Sequence, residues 1–172
     1  MKFGDYIKKG VEVAQLKKDA VQMLAADKEA FGPALGILAI GGVCGAIGAL
    51  SLWGIILMPI ARVVGMFIVV AIMHFVATSF MGAKGGQFSG LFVPLSCASV
   101  LTWIGIIPFI GPVLMFLVGL WLLVVAVIVV EHVYQIDRTK TIIVVAVPVA
   151  IGILISIIAF FLGMSTLALM GR

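Results

Sequence analysis

Charged side chains are the scarcest feature of this sequence. Asp, Glu, Lys and Arg make up 10% of its 172 residues, whereas 64% of the residues are hydrophobic. Soluble domains carry about 25% charged residues. A soluble domain of this length cannot bury so much apolar surface, so the solvent for most of the chain must be lipid. The sequence therefore predicts an integral membrane protein whose first partner is the lipid bilayer.

The low cysteine count and the small net charge exclude further classes. Cys44 and Cys97 are the only cysteines, and each lies inside an apolar run, which does not suit the disulfide framework of a small secreted domain. The net charge of +4 is too small to indicate nucleic-acid binding. In a membrane protein such an excess is better interpreted as a topology signal. We expect no nucleic-acid partner.

Long uncharged runs define the membrane-spanning segments. The longest, Gly85–Val130, has 46 residues and would form a helix of about 69 Å, more than twice the hydrocarbon core of about 30 Å. Two prolines and a glycine within residues 108–112 indicate a hairpin turn in its middle. Five spans are predicted, at Pro33–Trp53, Ala61–Met81, Leu91–Ile107, Pro112–Val130 and Ile142–Met164. The third is the shortest and contains Pro94, so it either crosses the membrane or re-enters from one side.

The basic residues predict the orientation of these spans. Lys and Arg concentrate in cytoplasmic segments. With the N-terminus in the cytoplasm, nine of the 11 basic residues lie on that side and only Arg62 and Arg172 lie outside. Runs such as LWLLVVAVIVV do not alternate as barrel strands do. The predicted fold is an all-α transmembrane helical bundle of five spans, with the N-terminus cytoplasmic and the C-terminus outside.

Residues 1–30 differ from the membrane domain at residues 31–172. Apolar side chains recur at helical spacing in this arm, at Ile7, Val11, Ala14, Val21 and Ala25, although Lys18 interrupts the stripe. We predict an amphipathic helix. Two placements stay open: the helix lies on the cytoplasmic face of the membrane, or it packs on the loops of its own bundle.

A polar cluster, EHVYQIDRTK, ends the longest uncharged run. Glu131 and His132 are adjacent, so on a helix they point about 100° apart and do not face one ligand together. No further Cys, His or acid stands three or four residues away to complete a metal site. The plainer interpretation is that the fourth span ends at Glu131, and that Asp137 caps the start of the fifth.

His74 is a titratable side chain within an otherwise apolar span. A group at that depth is costly enough to be a functional hypothesis in its own right, here a polar gate or a proton-handling group. The alternative is a neutral histidine that is hydrogen-bonded to Ser96, Ser99 or Thr102 of a neighbouring span.

The first span is rich in glycine, which permits close helix packing. The candidate packing residues are Gly32, Gly36, Gly41, Gly45 and Gly48. This pattern does not separate packing within the chain from dimerisation. The segment GGVCGAIG lies inside a span and follows no strand, which excludes a phosphate-binding loop. No residues form a nucleophile, a carboxylate pair or a cofactor cradle, so we expect neither an enzyme nor a bound cofactor or metal.

The order of these segments resembles the Ypt-interacting-protein (Yip) domain family. The resemblance covers about residues 30 to 165 and rests on the Phe31-Gly32-Pro33 entry, on FSGLFVPLSCASV, on the hairpin IIPFIGP and on GLWLLVVAVIVVEHVYQIDRTK with Lys140 near the start of the fifth span. Many prokaryotic members carry a histidine in the loop after the fourth span and an alanine after the lysine. Here Tyr134 stands near the place of that histidine, with His132 as a shifted equivalent, and Thr141 follows the lysine.

The resemblance implies a five-span membrane protein with a cytoplasmic N-terminus. Eukaryotic members have longer N-terminal regions and bind Rab-type GTPases, so a GTPase partner is implied here only if that role applies. The short arm is similar to prokaryotic members and favours the plasma membrane of a prokaryote over an endomembrane.

Two functional hypotheses follow from the sequence. The first is a non-enzymatic scaffold that organises membrane or partners, either second copies of the chain or other membrane proteins. An accessory subunit of a larger complex has the same sequence features. The second is a small oligomeric transporter or channel with a polar path near His74 and Glu131.

Overall fold

The fold is entirely helical. A computed structural model describes residues 1–83 and 85–170. Lys84 and Arg172, two of the basic residues that predict the orientation, lie outside the described residues. The described residues contain no strand, and their elements in chain order are α1 (Phe3–Ala14), α2 (Lys18–Ala26), α3 (Phe31–Gly48), α4 (Gly54–Ser79), α5 (Phe88–Ala98), a 3₁₀ helix (Ser99–Ile106), α6 (Gly111–Tyr134) and α7 (Arg138–Met170). The all-α class is confirmed.

Among the described residues, five helical segments are long and apolar enough to cross a membrane, as the sequence predicts. The third consists of α5 and the 3₁₀ helix in succession, Phe88–Ile106. Because a 3₁₀ helix rises about 2.0 Å per residue and an α-helix about 1.5 Å, these 19 residues reach about 32 Å, the thickness of the hydrocarbon core. The third segment therefore crosses the bundle from one end to the other.

Two span boundaries differ from the prediction. Helix α4 begins at Gly54, whose N–H donates to the hydroxyl of Ser51 over 3.0 Å, so Arg62 lies inside the helix and not in a loop. Helix α6 continues to Tyr134, so Glu131 lies one turn before its end. In both places the predicted span ends at a charged residue, which is expected to mark the membrane surface. The structure shows instead that each helix continues past the charged residue.

The bundle has two ends with different composition. We use the name basic end for the one that holds α1 and α2, residues 80–83 and 85–87, and residues 135–137. Here the Lys140 ammonium donates to the carbonyl of Met81 over 3.3 Å and so joins the start of α7 to the end of α4. The far end holds residues 49–53 and 107–110. There a Cβ atom at Gly48 would overlap the carbonyl oxygen of Gly105, so α3 and the 3₁₀ helix are in backbone contact.

The N-terminal arm is two helices, not one. Leu16 between them has φ +64°, which breaks the helix just before Lys18. Helix α1 approaches α5 so closely that a Cβ atom at Gly10 would overlap the carbonyl oxygen of Cys97. The Trp121 indole N–H of α6 donates to the carbonyl of Ala14 over 2.8 Å. Of the two predicted placements of the arm, the structure has the one in which the arm packs on the chain's own bundle. The arm contacts the spans, however, and not only the loops between them.

The centre of the bundle is the third span, the most buried of the five. Four phenylalanine rings from α3, α4 and α5 pack together there with centroids 4.6–6.0 Å apart: Phe31, Phe67, Phe88 and Phe92. Helix α7 contacts mainly α4 and α6. Its large side chains from Ile151 to Phe161 are 39–67% exposed. Lipid is the solvent that suits this half of α7.

Candidate functional site

The basic end is held together by a close contact between the α4–α5 loop and the end of α6. Gly86 has φ +87°, and a Cβ atom there would lie 2.6 Å from the Tyr134 ring. Only glycine combines this backbone conformation with this approach. The α4–α5 loop is therefore pressed against the end of α6, which brings Tyr134 within reach of α4.

His74 of α4 is bonded to Tyr134 of α6. Its Nδ1 atom lies 2.5 Å from the Tyr134 hydroxyl, and its ring meets Phe88 edge-on with centroids 6.2 Å apart. The histidine is half-buried, whereas the tyrosine is 2% exposed. This bond matches the predicted alternative of a histidine that is hydrogen-bonded to a neighbouring span. The partner, Tyr134, is not one of the three predicted hydroxyls.

The three hydroxyls predicted as partners of His74 belong to a different part of the bundle. The Ser99 hydroxyl donates to the carbonyl of Ser96 over 2.6 Å, and the Thr102 hydroxyl donates to the carbonyl of Ser99 over 2.7 Å. The Ser96 hydroxyl is buried and has no hydrogen-bond partner among the described residues. Ser96 lies near the end of α5, and the other two lie in the 3₁₀ helix, whereas the partner of His74 is Tyr134 of α6. The prediction that one of these hydroxyls bonds His74 was therefore wrong.

Glu131 and His132 point in different directions, as adjacent residues on a helix must. The Nδ1–H of His132 donates to the carbonyl of Ile128, one turn earlier, over 2.9 Å. One carboxylate oxygen of Glu131 is buried and has no hydrogen-bond partner in the described part of the chain. Over the same part, no three His, Cys, Asp or Glu side chains come together as metal ligands would.

Asp137 and Lys140 organise the start of α7. The Asp137 carboxylate accepts the backbone N–H of Thr139 over 3.0 Å, which satisfies a free donor of the first helical turn. The predicted cap is therefore present. Lys140, through its bond to Met81, satisfies a carbonyl just after α4. Both residues hold helix ends in place, and neither lies in a catalytic arrangement.

The glycines of α3 differ in what they contact. Gly41 faces Thr102, Gly36 faces the Phe3 ring, and Gly48 touches the 3₁₀ helix. A Cβ atom at Gly45 would meet only the Met58 sulfur at 3.8 Å, and one at Gly32 would meet nothing within 4 Å. The closest approach to α4 is at Gly42, where a Cβ atom would lie 2.5 Å from the Pro59 backbone. Gly42 is not among the predicted packing residues, because it lies outside the GxxxG pairs.

Two open cavities adjoin each other at the basic end. The first, of about 310 Å³, lies between α2 and α6 and is lined in part by Gln22, His132 and Gln135. The second, of about 360 Å³, lies between the two loops beside Gly82 and Tyr134. Both fall near the lower limit of small-molecule sites, which is about 300 Å³. Their linings lack a set of converging acids and bases, so they suit a contact surface better than a reaction site.

The arm contributes its own electrostatic contact to this end. The Tyr6 hydroxyl donates to the Asp27 carboxylate over 2.9 Å and ties α1 to the residue that follows α2. Burial, together with this hydrogen bond, raises the pKa of Tyr6 to about 12. On the outer side of α1, the Lys9 ammonium lies 2.7 Å from the Glu12 carboxylate and lowers the pKa of Glu12.

These features define the class of the protein: an integral, multi-pass α-helical membrane protein with five spans and a helical arm packed against them. The chain belongs to the Yip1 domain family, whose family model matches residues 17–162. The match begins within the arm and includes α2. The predicted boundary at residue 30 stays a prediction. No curated protein and no solved structure matches the chain.

Proposed function

We propose that the protein is a non-enzymatic membrane scaffold that holds a partner protein at its basic end. The partner is another membrane protein or a second copy of this chain. We further propose that the basic end is cytoplasmic, in the plasma membrane of a prokaryote. Membership in the Yip1 domain family supports this class of function. A GTPase partner would apply only if the chain shares the eukaryotic role.

The observation that carries the proposal is the arm's backbone contact with the third span at Gly10 and Cys97. This contact, the Tyr6–Asp27 hydrogen bond and the Lys140–Met81 bond fix the arm and both loops on one packed core. The resulting surface is shallow and exposes polar side chains such as Gln22 and Gln135. A surface ordered before it binds loses little conformational entropy on association.

The distribution of polar groups supports the scaffold over a conduit. His74 lies near the basic end of α4, and Arg62 lies about 18 Å away along the same helix. Buried apolar side chains lie between them, including Val70 and Met73, which are 0% and 3% exposed. His74 is bonded to Tyr134 and is not directed toward Arg62. A polar path through the bundle would need polar side chains at the intervening levels.

Photo-crosslinking from the surface tests this proposal. A photoreactive residue is placed in the full chain at Gln22 or Gln135 of the basic end, and at Phe116, a 67% exposed residue of α6. We expect discrete protein adducts at the first two positions and lipid adducts at Phe116. Gly10→Leu should remove the protein adducts, because it displaces α1. Gly4→Leu is the matched control, since a Cβ atom at Gly4 meets nothing within 4 Å.

Two results would contradict the scaffold. One is lipid as the sole adduct at all three positions. The other is the same set of proteins at Phe116 as at Gln22, unaffected by Gly10→Leu, which would indicate contact without a defined surface.

A further inference from the structure

Arg62 lies at membrane depth near the far end. It is eight residues into α4, about 12 Å from the start of that helix. The side chains outward of it are apolar and exposed: Ile55, Ile56, Leu57 and Ile60, at 41–63%. Exposed apolar residues on a spanning helix face lipid, so the apolar belt continues past Arg62. The guanidinium is therefore in a setting where a charge is costly.

Arg62 has no carboxylate partner among the described residues. Within the described residues the one ion pair joins Lys9 and Glu12. The acidic side chains of the sequence lie in the arm, at the end of α6 and just before α7: Asp5, Glu12, Asp19, Asp27, Glu29, Glu131 and Asp137. A buried or half-buried cation is normally paired with an acid or with another anion. The partners of Arg62 in the described part of the chain, Thr102 and Met115, are both neutral.

A series of hydrogen bonds along the 3₁₀ helix positions the guanidinium. Nη1 of Arg62 donates to the Thr102 hydroxyl, which itself donates to the carbonyl of Ser99 over 2.7 Å. The hydroxyl hydrogen of Thr102 is donated to that carbonyl, so its hydroxyl oxygen is the atom that accepts from the arginine. Nη2 lies 3.9 Å from the Met115 sulfur, a weak acceptor. Guanidinium has five N–H donors, so most of them have no strong acceptor in the described part of the chain.

A cavity opens beside this guanidinium. Its volume is about 420 Å³, and it is open to the surface. Its wall is small and apolar, formed by glycines such as Gly45, Gly105 and Gly111 together with Met58 and Met115. Arg62 is its single charged group. A cation within apolar walls suits a ligand that has an anionic group and an apolar part.

We propose that this cavity binds a phosphate-type anion, carried by the headgroup of a membrane lipid. The guanidinium fork matches phosphate oxygens with two parallel N–H donors, and such charge-assisted bonds are the strong ones. The apolar wall takes the glycerol and the first part of the acyl chains. Gly45 of α3 faces this space, since a Cβ atom there would meet only the Met58 sulfur at 3.8 Å, and a large side chain at this position would fill the cavity.

The assignment is tested with three probes that carry the phosphate, the acyl chains or both. Phosphatidylglycerol has both phosphate and chains, diacylglycerol has the chains alone, and inorganic phosphate has the anion alone. The full chain in detergent is titrated with each, with bound lipid counted by native mass spectrometry and the melting temperature followed. We expect a one-to-one phosphatidylglycerol adduct that raises the melting temperature, and no such effect from diacylglycerol.

Variants separate the site from general lipid association. Arg62→Met keeps the length of the side chain and should weaken phosphatidylglycerol binding about tenfold or more, the change expected for loss of a charge-assisted hydrogen bond. Arg62→Lys keeps the charge but lacks the two parallel N–H donors. Its phosphatidylglycerol binding should lie between that of the native chain and that of Arg62→Met. Lys28→Met removes an exposed lysine of the basic end and should leave binding unchanged.

The outcomes are distinct. Equal phosphatidylglycerol binding in Arg62→Met and the native chain would overturn the proposal. If inorganic phosphate alone gives the full effect, the anion site is supported and its ligand is a free anion, which overturns the lipid source. If Arg62→Met fails to fold, Gly45→Leu replaces it, because it fills the cavity and leaves the arginine in place. Undiminished phosphatidylglycerol binding in Gly45→Leu would then overturn the proposal.

Discussion

At the residue scale, two polar rings inside the bundle bond specific partners on other helices. His74 bonds Tyr134, and the Trp103 indole N–H donates to the carbonyl of Ile37 over 3.1 Å. Each bond removes a polar group from contact with lipid, where it would be unsatisfied. The cost of burying these side chains is thus offset by the bundle's own hydrogen bonds, and no chemistry has to be assigned to them.

The His74–Tyr134 bond predicts energetic coupling between α4 and α6. Tyr134→Phe and His74→Leu should each destabilise the protein, and the double variant should lose about 1 kcal/mol less than the sum, the net value of one hydrogen bond. Unfolding of all four proteins in detergent measures this coupling. Strict additivity would show that the two side chains do not stabilise each other.

Tyr6 predicts a dependence of stability on alkaline pH. Its pKa is raised from 10.0 to about 12 in the folded chain, so folding favours the protonated phenol. This contribution is complete below pH 10 and is lost as the pH rises from about 10 through 12. The melting temperature in detergent should therefore fall more steeply over that window in the native chain than in Tyr6→Phe. Parallel curves for the two proteins would contradict the assignment.

At the element scale, the five spans could be predicted because run length and helix rise suffice to place them. Their ends could not, because charge alone does not mark a helix end: α4 accommodates Arg62 and α6 accommodates Glu131. The 3₁₀ form of the third span depends on hydroxyls that bond back to nearby carbonyls, which composition does not reveal. Tyr134 was noted as a departure from the family pattern, yet its partner on α4 depends on tertiary packing.

Gly10 determines whether α1 joins the bundle. Gly10→Ala adds one methyl group against the backbone of Cys97, so α1 must move away, and we expect a loss of about 1–3 kcal/mol, typical of overpacking. Gly4→Ala adds the same group to the same helix in open space and should be neutral. Limited proteolysis of residues 1–30, alongside the melting temperature, measures the detachment. Equal resistance in both variants would mean that α1 is held by other contacts.

At the scale of the whole molecule, a packed core separates two ends of different chemistry. The basic end combines the arm, two loops and most lysines, whereas the far end presents apolar side chains such as Leu52 and Phe109, at 84% and 88% exposure. Between them the third span is enclosed by its neighbours. This arrangement is consistent with a scaffold that presents one surface to partners and holds the rest of its area in lipid.

The most direct test of that account is thiol labelling in sealed, right-side-out vesicles. Single cysteines replace Leu52, Gln135 or Val70 in a chain that lacks Cys44 and Cys97. An impermeant reagent should label Leu52→Cys from outside and Gln135→Cys only after permeabilisation. A small aqueous reagent should not label Val70→Cys, because Val70 is 0% exposed. Labelling of Val70→Cys would show that water enters the core, and it would contradict the scaffold and favour a conduit. Labelling of Leu52→Cys and Gln135→Cys from the same side of the membrane would contradict the predicted topology of the bundle.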